Sequence, residues 1–128
     1  MGKMLVISSD DEMVNSLNGF SDEIDCECIT YNNSNDPLDI VSEVMSKNPT
    51  LLLLDDDFIA PNSAKVLESF KKLNPKLSII FITSDLSIEL GRTINNIGVK
   101  FYLIKPIETE NLKEFIKSVK NQNQNFIY

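Results

Sequence analysis

Three stretches of this chain are apolar or aromatic without interruption, and each stops on a polar residue at its C-terminal end. Residues 51–54 are four leucines followed by Asp55; residues 79–82 are Ile-Ile-Phe-Ile followed by Thr83; residues 101–104 are Phe-Tyr-Leu-Ile followed by Lys105. The first two runs, without alternation, read as central strands buried on both faces of a parallel sheet. Parallel strands end at one edge, and open α/β sheets bind their ligands there. A carboxylate, a hydroxyl and an ammonium group are therefore expected in one crevice. That set suits a phosphoryl group: the carboxylate attacks phosphorus while the hydroxyl and the ammonium hold its oxygens.

The segments between these runs are amphipathic. Residues 4–8 read as a first strand, after which Asp10 or Asp11 caps a helix to about Gly19, with Met13, Val14 and Leu17 on one face and Gly19 as terminator. Residues 24–30 alternate apolar and polar side chains, as a half-exposed strand does, and residues 31–35 form a turn. Pro37 opens a helix to about Lys47, with Ile40, Val41, Val44 and Met45 inward, and Asn48-Pro49 ends it. Asn62 or Ser63 caps the next helix, which buries Val66, Leu67 and Phe70. A fourth helix spans residues 86–96 before Gly98, with Ile88, Ile94 and Ile97 as its apolar positions. A fifth spans residues 107–120, with Leu112, Phe115, Ile116 and Val119 at helical spacing. Five strands alternating with five helices predict an α/β fold: a doubly wound, five-stranded parallel sheet of order 2-1-3-4-5, flavodoxin-like, with helices on both faces. The loops after strands 1 and 3 then form the site. Residues 1–120 are expected to be one domain, and the Asn/Gln-rich residues 121–128 a tail or the start of a linker.

Composition narrows the chemistry. Twelve basic against 19 acidic side chains give a formal charge of −7, so there is no global footprint for nucleic acid or an anionic membrane. No apolar stretch is long enough to span a bilayer, and the cytoplasm is the expected compartment. There is no histidine, which excludes Ser-His and Cys-His nucleophile pairs and histidine metal ligands. Cys26 and Cys28, two apart on a strand, point to one face, suit neither a disulfide nor a zinc site, and read as half-buried strand residues. A flavin site is disfavoured, because the loop after the first strand lacks a phosphate cradle rich in small residues.

The joint spacing of Pro49-Thr-Leu-Leu-Leu-Leu-Asp55, Ile-Phe-Ile-Thr83-Ser84 and Gly98-Val-Lys-Phe-Tyr102-Leu-Ile-Lys105-Pro106 resembles a response-regulator receiver domain of two-component signalling. The resemblance implies that Asp55 is the phosphoacceptor, that Thr83 is the switch hydroxyl, and that Tyr102 is the aromatic whose rotamer reports the state. It implies that Lys105 pairs with Asp55 and the phosphoryl oxygen, and that the Lys105–Pro106 bond is cis. It further implies a histidine kinase or phosphotransfer protein as partner, and Mg²⁺ as cofactor. A homodimer would form through the fourth helix, fifth strand and fifth helix, with neither a membrane nor direct nucleic-acid contact. Such a domain is not an enzyme beyond self-catalysed phosphotransfer.

The chain departs from the pattern at the end of the first strand. The family places two adjacent acidic residues there for Mg²⁺; here Ser8 and Ser9 occupy those positions. A two-residue shift would supply Asp10 and Asp11 instead, but it would misplace Met13, Val14 and Leu17 relative to the sheet, so the unshifted reading is favoured. Mg²⁺ prefers carboxylate oxygen, and its binding is expected to be weak, through Asp55 and Asp57 with Asp10 as a further candidate. Asp57 aligns where the family gives only a backbone carbonyl, and its side chain is expected to reach outward. The alternative function is a pseudo-receiver, an interaction module that works without phosphorylation because Ser8 and Ser9 replace the acidic pair.

Overall fold

A computed structural model describes residues 2–124, with side-chain environments through Asn121. The strands are β1 (Gly2–Ile7), β2 (Cys26–Tyr31), β3 (Leu51–Asp55), β4 (Ser78–Thr83) and β5 (Phe101–Ile104). They form one parallel sheet in the order β2-β1-β3-β4-β5, as the alternation of elements predicts. The helices are α1 (Asp11–Phe20), α2 (Pro37–Lys47), α3 (Asp56–Ile59), α4 (Ser63–Leu73), α5 (Ile88–Ile97) and α6 (Thr109–Gln124). Residues 125–128 of the expected tail lie outside the described residues.

Strand geometry sends successive side chains to opposite faces, and this sorts the interior into two cores. Met4, Val6, Leu51, Leu53, Ile80, Ile82 and Leu103 face Leu17 and Phe20 of α1 and Leu112, Ile116 and Val119 of α6. Leu5, Ile7, Leu52, Leu54, Ile79 and Phe81 face Ile40, Val44, Val66, Leu67, Phe70 and Ile94, from α2, α4 and α5. Every residue of β3 and β4 is buried, which accounts for their uninterrupted runs.

Local chemistry sets the boundaries. Asp10 caps α1 by accepting the Met13 N–H at 3.1 Å, and Asp36 caps α2 through Leu38 N at 2.9 Å, with Pro37 in the first turn. Asn48 closes α2 in the left-handed conformation, φ 48°. Gly19 is not the terminator it was expected to be: α1 continues through Phe20, whose ring is buried in the first core. β2 starts at Cys26, after a turn in which Asp25 has φ 51°. α5 starts at Ile88, with the Ser87 hydroxyl accepting Leu90 N–H. Asn62, at the N-terminus of α4, makes no side-chain cap bond. The short helix α3 is additional to the five expected; Asp55 starts it by accepting the Asp57 N–H at 3.1 Å. Cys26 and Cys28 share the first core as free thiols, and burial pushes Cys28 up to about 11.

Candidate functional site

Asp55, Thr83 and Lys105 end or follow parallel strands at the same edge, and the Lys105 N–H donates to the Thr83 carbonyl at 2.9 Å. Asp55, 2% exposed, is the centre of the crevice. Its Oδ2 accepts the Lys105 ammonium at 3.0 Å and the Ser8 hydroxyl at 2.6 Å, and its Oδ1 accepts Asp57 N–H. Lys105 Nζ also lies 3.0 Å from Asp10 Oδ2 and 3.1 Å from Asp57 Oδ2. Three carboxylates thus share one ammonium. Burial pulls the Lys105 pKa down, but its bonds to Asp55, Asp10 and Asp57 outweigh that and hold it above its ordinary value. Asp10 is held below the usual carboxylate range, first by the Met13 N–H and then by Lys105. For Asp57 burial acts upward, and the bonds from Ser84 and Lys105 prevail, leaving it lowered.

Ser8 is buried and Ser9 exposed. β1 stops at Ile7, as the unshifted reading of the first strand requires, yet Asp10 turns back into the crevice while Asp11 stays exposed. The side chain of Asp57 corrects an expectation. Rather than reaching outward, it crosses the crevice to Lys105 and accepts the Ser84 hydroxyl at 2.8 Å. The Lys105–Pro106 bond is cis, and so is Ala60–Pro61.

Thr83 is at the expected edge but on the other side of the sheet. Its hydroxyl donates to Asp56 Oδ2 at 2.7 Å and accepts Asp85 N–H at 2.9 Å. Asp56 Oδ1 takes the Ser63 hydroxyl at 2.5 Å. Tyr102 lies on that side too, turned inward and stacked on Phe81 with ring centroids 5.3 Å apart. Neither Asp56 nor Ser63 was singled out from the sequence as part of this cluster. The signal was present: period two places Ser8, Asp55 and Lys105 on the α1/α6 side, and Asp56, Thr83 and Tyr102 on the other.

The fit to a divalent cation is poor in this arrangement. The three carboxylates converge on Lys105 Nζ, and Ser8 offers a neutral hydroxyl that is already donated. Among the described residues, no group of three or more acidic, histidine or cysteine side chains is placed to hold a metal ion.

No family model matches the chain. It is 27% identical over 99 residues to the regulatory protein LuxO of Vibrio cholerae; the match covers 69% of this chain but only 22% of that relative's length. A response regulator receiver domain protein from Methanospirillum hungatei superposes with a TM-score of 0.77 at 22% identity, covering 97% of each chain. The signal receiver domain of a LuxO repressor protein from Vibrio parahaemolyticus gives 0.78 at 17% identity, over 99% of this chain and 98% of that one. With the sheet order and the two helical layers described above, these superpositions show that the chain has the fold of response-regulator receiver domains.

Proposed function

We propose that the chain is a signalling receiver domain in which Asp55 takes a phosphoryl group from a histidine kinase or phosphotransfer protein. The observation that carries this reading is the buried Asp55 carboxylate, held at the crevice floor 3.0 Å from the Lys105 ammonium. An Asp55 oxygen attacks phosphorus, the bond from phosphorus to the donor breaks, and the donor keeps the electron pair. An acyl phosphate remains, and the Lys105 charge faces its oxygens. Bound Mg²⁺ would supply neutralisation of the phosphoryl charge; Asp55, Asp57 and Asp10 are the residues that would hold it, and only where Lys105 released them.

The output surface is the face of α5, β5 and α6. Leu86, Ile88 and Ile104 are exposed on or beside it, while Ile94 is buried and Leu90, Ile97 and Tyr102 pack against the second core. A second copy of this chain, or a partner protein with an apolar patch, fits that face. No helix among the described residues is long and apolar enough to cross a membrane, and the cytoplasm remains the proposed compartment.

A second reading is favoured by one observation: Ser8 and Lys105 both occupy Asp55 Oδ2, and the carboxylates around them are spent on the ammonium. This is the arrangement of an interaction module already locked in one state. Mass spectrometry after incubation with acetyl phosphate and Mg²⁺ separates the two. A base-labile phosphoryl adduct on Asp55 supports the phosphoacceptor; its absence at any Mg²⁺ concentration supports the locked module.

A further inference from the structure

Asp56 is 5% exposed and has no task in the phosphotransfer just described. Its two oxygens are each met by one hydroxyl, from Ser63 and from Thr83, and no cation pairs with it among the described residues. The Ser63 bond already joins α3 to α4, so the Thr83 bond is not needed for that purpose. Thr83 has one hydroxyl proton, and Asp56 holds it; the Thr83 oxygen is simultaneously fixed by Asp85 N–H. Thr83 cannot donate to a group on Asp55 until it leaves Asp56.

Leaving would strip a buried carboxylate of one of its two donors, which is costly unless another donor replaces it. A donor is at hand. Among the described residues, the Tyr102 hydroxyl is buried without a hydrogen-bond partner. Tyr102 lies on the same side of the sheet as Thr83 and Asp56, stacked on Phe81 and packed against the second core, and burial first, then the charges of Asp56 and Asp85, raise its pKa.

We propose that Asp56 is a positioning residue of the switch. In the unmodified protein it holds Thr83 away from Asp55; when Thr83 turns to the phosphoryl group, Asp56 receives the Tyr102 hydroxyl in its place. The exchange conserves the number of donors on the buried carboxylate and couples the two side chains through one acceptor. It rests on the phosphoacceptor reading for its trigger, but the restraint on Thr83 exists without it.

The test compares the unmodified chain with Asp56→Leu and Asp56→Asn. Side-chain scalar couplings of Thr83 should report one rotamer in the unmodified chain, averaging in Asp56→Leu, and an intermediate state in Asp56→Asn, whose amide oxygen still accepts one hydroxyl. With beryllofluoride and Mg²⁺, the Thr83 and Tyr102 amide shifts should saturate together in the unmodified chain, whereas in Asp56→Leu the Thr83 shift should persist and the Tyr102 shift should be lost, because no acceptor remains to couple them. Thr83 averaging in the unmodified chain, or an unchanged Thr83 rotamer or a retained Tyr102 shift in folded Asp56→Leu, overturns the proposal. If Asp56→Leu does not fold, Asp56→Asn carries the same comparison. If no variant responds to beryllofluoride, the phosphoacceptor reading fails, and the rotamer result alone decides whether Asp56 restrains Thr83.

Discussion

Asp55 and Asp56 are neighbours in sequence and nearly equal in burial, at 2% and 5% exposed, yet they meet opposite surroundings. Asp55 faces the α1/α6 side and accepts an ammonium, a hydroxyl and a backbone N–H. Asp56 faces the side of α4 and α5 and, among the described residues, accepts two hydroxyls. The difference follows from pleating, because one residue's advance along a strand end turns the side chain through the sheet. One carboxylate sits beside a cation, where the proposed phosphotransfer would take place. The other gathers two hydroxyls, one of which the proposed switch would move. On that reading a single sheet edge holds a reactive half and a responsive half, joined by one peptide bond.

The contrast breaks most easily at the proposed nucleophile. Asp55→Asn should abolish the acetyl phosphate adduct, whereas Asp56→Asn should keep it; peptide mapping of the adduct checks both. An adduct surviving in Asp55→Asn would move the acceptor elsewhere.

Removing the cation comes next. Lys105→Met leaves Asp55 buried beside two further carboxylates, and should cost roughly 3 kcal/mol of folding stability, the scale for unpairing a buried charge. The same change should tighten Mg²⁺ binding, since the carboxylates then lack a competitor. Urea midpoints with and without Mg²⁺ read both effects, and a variant with unchanged stability would show that water serves Asp55 as well as the lysine does.

Restoring the acidic pair is a smaller step. Ser8→Asp with Ser9→Asp should raise Mg²⁺ affinity about ten-fold or more, because charged oxygen dominates hard-cation binding. Titration followed by amide NMR measures it, and tight binding in the unmodified chain would contradict the expectation.

The weakest effect is the pH profile. Asp10 and Asp57 are held below 3.8, so their stabilisation is present above that value and is lost as pH falls through the depressed folded values. Lys105 is raised above 10.5, so its share is complete below 10.5 and is lost as pH rises through the folded value. The denaturation midpoint should therefore be flat near neutrality and fall at both extremes, and Lys105→Met should remove the lysine's share of the alkaline limb while flattening the acid limb only in part, because the Met13 and Ser84 bonds remain.

Much of this was readable from the chain. The uninterrupted runs at residues 51–54 and 79–82 give the central strands, and the polar residues after them give the edge, because burial on both faces leaves no other pattern. What escaped was the sidedness of Thr83. Grouping Asp55, Thr83 and Lys105 by edge ignored their parity, which sets Thr83 with Asp56 and Tyr102. In the sequence Ser8 reads as a lost charge, whereas its 2.6 Å bond to Asp55 depends on a rotamer that no spacing reveals. The reach of Asp57 to Ser84 and Lys105 depends on the turn of α3, four residues long, and that turn carries no periodic signal of its own.

The strand that delivers Lys105 differs from those that carry the aspartates. β5 has four residues, sits at the sheet margin and is only partly buried, whereas β3 is enclosed between β1 and β4. Marginal strands open first, at a fraction of the free energy of global unfolding. Amide protons of β5 should exchange with solvent well before those of β3. Each such fluctuation would withdraw the lysine while the carboxylate floor stays in place. The crevice would then show incoming ions a bare anionic pocket for brief intervals, at a rate set by fraying of the sheet margin.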